Sequence, residues 1–176
     1  MVAESRRLIQ VYTGDGKGKT TAALGQALRA WGHGWRVLVI QFMKGRKDGG
    51  EIFAISKLEG FEIVQYGQGR PVNKEKPCPL DISLAKQGLE RAREEFNSKK
   101  YDLVILDELN SAISYKLLST EEALAVLAQK PPRMEVIITG RDAPSEIIAL
   151  ADLVSEIKEL KHPYKKGISA REGIEY

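Results

Sequence analysis

Apolar and polar positions along this 176-residue chain switch between two periods, and the switches mark out its elements. Short apolar, β-branched runs at residues 8–12, 36–42, 61–66, 101–108, 135–139 and 153–160 predict strands. The run 36–42 is apolar throughout, as in a parallel strand buried on both faces. Between the runs the period lengthens. Leu24, Leu28 and Trp31 recur at i, i+4, i+7 and predict a helix over 21–31, ended by Gly32 and Gly34. Ile52 and Ile55 mark a short helix over 51–58. Asp81 is placed to cap a helix reaching 98, with Ala85, Leu89, Ala92 and Phe96 on one stripe and charges on the other face. Ser119 and Glu122 have capping-box spacing ahead of the apolar run 123–127, which Pro131 and Pro132 stop. Pro144 suits the first turn of a helix through 150.

The connections are uneven. Residues 1–7 are a polar lead-in. Residues 43–50, with Lys44, Arg46 and Lys47, predict a mobile basic loop, either a solvated turn or a contact to substrate phosphates or carboxylates. Residues 67–79 hold prolines, glycines and charges and form a loop long enough to be either functional or disordered. The tail, 161–176, mixes cations with Tyr164, Ile168 and Ile174, and His162 reads as a polar loop residue. Strands alternating with helices predict a single α/β domain over 1–176, three-layered, with a mainly parallel sheet and its ligand at the carboxyl edge.

Composition narrows the class. A 43% apolar content supports one core. Lys and Arg number 27 against 24 Asp and Glu, a net +3 that falls short of a nucleic-acid footprint, so no nucleic-acid partner is expected. Cys78, the one cysteine, has no Cys or His at metal-site spacing and reads as structural. With no apolar signal region and no membrane-length run, the expected location is the cytoplasm, away from membranes.

Candidate chemistry begins where the first strand meets the first helix. Thr13-Gly14-Asp15-Gly16-Lys17-Gly18-Lys19-Thr20 nearly fits the phosphate-binding pattern G-x-x-x-x-G-K-S/T, with Thr13 in place of the first glycine. Glycines at 14, 16 and 18 let backbone N–H groups turn inward around a polyphosphate at the helix N-terminus. Lys19 adds a cation, Thr20 offers a hydroxyl to Mg2+, and Lys17 is a second, more exposed cation. In phosphate-loop proteins, a strand ending in carboxylates lies beside the loop strand and reaches the metal. Asp107 and Glu108 are such a pair, and on an extended strand they point to opposite sides, so one faces the ion. Arg141, at the end of the strand 135–139, reads either as a phosphate contact or as a surface ion pair. These residues alone suit an ATPase or kinase acting at the γ-phosphate.

Further blocks point elsewhere. Residues 14–23 (including Thr21), 29–34, 39–45, 106–109, 136–141 and 150–156, with the ending 161–164, 167–168 and 173–176, resemble the phosphate-loop family of ATP:cob(I)alamin (corrinoid) adenosyltransferases from residue 8 onward. The resemblance implies transfer of the 5′-deoxyadenosyl group of ATP to the Co(I) of a reduced corrinoid, with release of triphosphate. Reduced cobalt is then the nucleophile, and the protein needs none of its own. By similarity, Lys19, Thr20 and Glu108 are catalytic, with Thr20 and Glu108 on the Mg2+. Gly14 to Thr21 and Arg141 hold the nucleotide, and Arg29 either joins them or is a solvated helix arginine. Phe61 matches an aromatic beside the corrin, and Ile63 stands where a tryptophan is common. Family members often carry a longer N-terminal segment over the corrinoid. Closure here then falls to residues 67–79 or to a neighbouring subunit. The resemblance also implies a homodimer and an electron donor such as a flavoprotein.

Overall fold

The computed structural model describes residues 7–175. Of the lead-in at 1–7 only Arg7 falls among them, and Tyr176 lies outside them too. The elements run β1 (Ile9–Thr13), α1 (Lys19–Gly32), β2 (Val37–Phe42), α2 (Gly50–Ile55), β3 (Phe61–Tyr66), α3 (Pro79–Ser98), β4 (Leu103–Asp107), α4 (Leu109–Ser114), α5 (Thr120–Leu127), β5 (Glu135–Thr139), α6 (Ser145–Leu150) and β6 (Leu153–Glu156). A 3-10 turn follows at Pro163–Lys166.

All strand pairs are parallel, in the order β3-β2-β4-β5-β1-β6. Period-two alternation splits strands β1 to β5 between two apolar layers, while β6 is exposed along its length. Val37 and Val39 of β2 pack with Ala23, Ala27 and Ala30 of α1 and Ile55 of α2. Leu38, Ile40 and Phe42 pack with α3, α4, α5 and α6 through residues such as Leu89, Leu109, Leu127 and Ile147. The runs of β2, β4 and β5 are apolar because both faces are covered, whereas the run expected over 153–160 forms a strand only at 153–156 and stays exposed.

Four expectations are corrected here. The strand that ends in carboxylates is not beside the loop strand: β4 pairs with β2 and β5, and β5 separates it from β1. The buried stripe of α1 is Ala23, Ala27 and Ala30, while Leu28 is 54% exposed. Small side chains let the helix lie close to the sheet, and this outweighs the hydrophobicity of the leucine stripe. The helix after the long loop starts at Pro79, with Cys78 at its cap position and Asp81 one turn inside, where Asp81 Oδ2 accepts from the Cys78 N–H at 3.4 Å. Helix α4 was not foreseen. The reciprocal cap of α5 forms as read: the Glu122 N–H donates to Ser119 Oγ at 3.1 Å and the Ser119 N–H to Glu122 Oε2 at 2.8 Å.

Candidate active site

The loop between β1 and α1 is shaped by a neighbour distant in sequence. The Gly16 N–H donates to the Ile157 carbonyl at 2.7 Å, and the Ile157 N–H to the Thr13 carbonyl at 2.8 Å. A Cβ on Gly14 would come 2.5 Å from the Ile157 oxygen, so the residue must be glycine for contact as well as for its φ of +94°. Gly18, at φ +117°, turns the chain into α1. Lys19 is buried, and its ammonium folds back onto the loop, donating to the Gly14 and Gly16 carbonyls at 2.6 and 2.8 Å. Burial pulls its pKa below the usual lysine value; Glu108, Asp15 and Asp107 oppose that pull and Arg141 adds to it.

A row of polar side chains crosses the carboxyl edge opposite the loop. Gln65, Gln41, Asp107 and Thr139 are each the last residue on the α1 side of their strand, and they are hydrogen-bonded in sequence across β3, β2, β4 and β5. Gln65 Nε2 donates to Gln41 Oε1 at 2.9 Å, Gln41 Nε2 to Asp107 Oδ2 at 3.0 Å, and Thr139 Oγ1 to Asp107 Oδ1 at 2.7 Å. The Thr20 hydroxyl donates to Asp107 Oδ1 at 2.8 Å, and Lys44 Nζ to Asp107 Oδ2 at 2.8 Å. Asp107 is fully buried, and these four donors satisfy its carboxylate. Burial works against the charge on Lys44, but Asp107 outweighs it and raises the lysine's pKa above the ordinary value.

Glu108 departs from the extended geometry assumed for it. Its φ of +65° ends β4 and places it ahead of α4, so both carboxylates turn toward the loop side instead of to opposite faces. Its Oε2 accepts from Ser111 Oγ at 2.5 Å, and the Ser111 hydroxyl also accepts from the Arg141 N–H at 3.1 Å.

The loop, Lys44 and Glu108 open on a cavity of about 660 Å³, with Asp107 and Thr139 buried behind it. Gly16, Lys17, Gly18, Lys19, Thr20 and Thr21 form one wall, and Lys44, Glu51, Glu108, Ser111, Tyr115 and Arg141 another. The tail folds over the opening with Gly173, Ile174 and Glu175, and His162 also lines it. Lys17 Nζ donates to the Ile174 carbonyl at 3.1 Å and pairs with Glu175 at 3.4 Å; Arg171, and behind it Lys17, hold Glu175 down to about 2.

Not every residue singled out in the sequence meets here. Asp15 faces a neighbouring cleft with Lys158 and Lys165, and its carbonyl accepts from Arg141 at 3.2 Å. Gly14 reaches the site through the carbonyl that holds Lys19. Arg29 lies exposed along α1, bonded to Gln26 at 3.3 Å, outside the cavity. Phe61 is buried at the amino end of β3, paired with Val37, at the edge of the sheet opposite the loop. An aromatic there fills the α1-side core, so the structure does not bring Phe61 to the cavity. Gln41, Gln65, Thr139 and Ser111 were missed. The signal for the first three was present: a polar residue near the carboxyl end of a largely apolar strand.

The oxygen donors Thr20 Oγ1, Asp107 and Glu108 suit a hard cation such as Mg2+. Among the described residues no group of three or more His, Cys, Asp and Glu side chains forms a metal cage, and no helix is long and apolar enough to cross a membrane.

A parallel sheet whose first strand passes through a glycine loop into a helix, with the loop facing strand-end carboxylates, defines a three-layer P-loop-like α/β domain. Residues 5–176 match the family model described as ATP:corrinoid adenosyltransferase BtuR/CobO/CobP, and the chain belongs to that family. It is 38% identical to the corrinoid adenosyltransferase of Escherichia coli strain K12 over 176 residues, covering 98% of this chain and 87% of the relative. The figures are the same for the corrinoid adenosyltransferase CobA of Salmonella typhimurium strain LT2. A Sinorhizobium corrinoid adenosyltransferase is 36% identical over 175 residues, 98% of this chain and 82% of its own length. Membership makes the chain a transferase and disfavours the γ-phosphate ATPase or kinase reading.

Proposed function

We propose that the whole chain, 1–176, acts as one domain that transfers the 5′-deoxyadenosyl group of ATP to the Co(I) of a corrinoid, in the synthesis or salvage of adenosylcobalamin. The electron pair of Co(I) forms the bond to C5′; the C5′–O bond breaks, and its pair leaves on triphosphate. The observation that carries the reading is that Lys19 and Thr20 share one cavity with Glu108, Lys44 and Arg141 in a chain of this family.

The protein's work is on the leaving group and on position. The N–H groups of the loop, Lys19 and Arg141 stabilise charge that grows on the triphosphate as the bond breaks, in a cleft that limits screening by water. Lys19, now bonded to loop carbonyls, exchanges them for phosphate oxygens. Thr20 and Glu108 would hold Mg2+, with Asp107 orienting the Thr20 hydroxyl from behind. When bound, the ion neutralises further phosphate charge. Gly14 to Thr21 cradle the nucleotide, while the Asp15 side chain and Arg29 lie outside the cavity. The corrinoid approaches from the open side, and residues 67–79 or a second subunit close over it. A homodimer in the cytoplasm, supplied with an electron by a flavoprotein-type donor, completes the proposal; the resemblance and the single cysteine support it.

Product analysis tests it. Incubation with ATP, Mg2+ and chemically reduced corrinoid is expected to give triphosphate and a light-sensitive cobalt–carbon bond in equal amounts. ADP and phosphate with an unchanged corrinoid would overturn the proposal.

A further inference from the structure

Lys44 follows β2, in the stretch expected to be a mobile basic loop, yet its backbone is held firmly. Met43, at φ +61°, turns the chain back over the sheet edge, and its N–H donates to the Tyr66 carbonyl at 3.0 Å. Gly45 then packs backbone to backbone on the segment after β3: a Cβ at Gly45 would lie 2.2 Å from the Gly67 oxygen, and one at Gly67 would lie 2.3 Å from the Met43 carbonyl carbon. Two connections are thus locked together at residues too small to separate them, with Lys44 between. Its ammonium lies 2.8 Å from Asp107 Oδ2 and 3.2 Å from Thr20 Oγ1.

That position lies against the Thr20 hydroxyl, which with Glu108 is suited to the divalent ion. Asp107 is fully buried, and its other contacts, Thr20, Thr139 and Gln41, are neutral donors. Among the described residues Lys44 is the only cation paired with it. A buried carboxylate left with neutral donors alone is costly, and an ammonium and a divalent ion cannot share one seat.

We propose that Lys44 is an internal counter-ion that occupies the metal's seat at the Thr20 hydroxyl, beside Asp107, in the nucleotide-free protein, and that it swings onto the triphosphate when the metal–nucleotide complex arrives. The exchange keeps a positive charge beside Asp107 throughout. It also adds a second lysine, beside Lys19, to the leaving group, from a backbone anchor that does not move. The inference rests on the Mg2+ position proposed above.

The test compares wild type with Lys44→Gln and Lys44→Arg, using Mn2+ as a paramagnetic probe and thermal melting. Without metal, Lys44→Gln is expected to melt roughly 3–6 °C lower than wild type, because Asp107 loses its counter-ion at a site that is partly open. Mn2+ or Mg2+ alone restores that loss, and the variant binds Mn2+ without nucleotide at least about tenfold more tightly than wild type, while Lys44→Arg behaves as wild type. Equal melting and equal Mn2+ affinity in wild type and Lys44→Gln would overturn the inference, even if both bind Mn2+ with ATP. Failure of wild type to bind Mn2+ with ATP would remove the Mg2+ position itself, and the inference with it. Should Lys44→Gln not fold, the 15N ammonium resonance of Lys44 in wild type decides: it is expected to shift on adding MgATP but not Mg2+ alone, and a resonance that stays in place overturns the inference.

Discussion

At the scale of single residues, the site is a set of polar groups placed where apolar strands run out. Asp107 is the clearest case. It is fully buried, yet it accepts from Thr20, Thr139, Gln41 and Lys44, so its burial depends on partners from three separate segments. Lys19 is placed differently: its ammonium is held by two carbonyls of its own loop, contacts that phosphate oxygens can replace. Lys19→Ala is therefore expected to fold normally but to lose at least about 100-fold in kcat, because the charge it offers is needed most as triphosphate departs. Steady-state assays alongside circular dichroism check this; near-normal turnover would take Lys19 out of the mechanism. The sequence made Lys19 legible because the loop pattern is local. It left Lys44 ambiguous because a lysine after a strand carries no mark of where its ammonium ends.

At the scale of elements, the glycine loop and the segment after β6 act as one unit. The backbone at Ile157 fills the space where Cβ atoms of residues 14 and 16 would stand, whereas a Cβ at Gly18 would meet nothing within 4 Å. The two substitutions should separate by cause. Gly14→Ala combines a disfavoured φ with a backbone clash and is expected to cost about 2–4 kcal/mol of stability, whereas Gly18→Ala carries the conformational term alone, about 1–2 kcal/mol. Denaturant titration distinguishes them, and equal losses would show that the contact with Ile157 contributes nothing. The glycines could be read from sequence as flexible points in a phosphate loop. That Gly14 and Gly16 also make room for a chain 140 residues away could not. Helix α1 illustrates the same limit, since periodicity found the helix but ranked Leu28 above the alanines that face the sheet.

At the scale of the whole molecule, a buried carboxylate ties the end of the long connection 67–78 to the start of α3, beyond the contact of Gly67 with residues 43–45. Asp81 accepts from Gln68 Nε2 at 2.6 Å and from the Cys78 N–H, and Arg70 lies 3.5 Å away. Burial pushes its pKa up, but the hydrogen bonds from Cys78 and Gln68 and the charge of Arg70 outweigh this and hold it below the ordinary 3.8. A depressed carboxylate stabilises the fold above its unfolded pKa and loses that contribution as pH falls through the folded value. Wild type should thus exceed Asp81→Asn by about 1–2 kcal/mol above pH ~4.5, and the gap should shrink below the ordinary value. Acid titration of unfolding checks it; a gap unchanged down to pH ~2 would mean that the charge is not responsible. The sequence by itself determined the strands, most of the helices, the capping box of α5 and the chemistry of the phosphate loop, because periodicity, capping and glycine geometry act over a few neighbouring residues. Only the tertiary structure decided that β5 separates β4 from β1, that Glu108 leaves the strand in a left-handed turn, that Phe61 belongs to the far end of the core, and that Asp107 meets Thr20 and Lys44. Those last contacts join residues 87 and 63 positions apart. Strand order and the packing of the two layers set them, and no local pattern carries either.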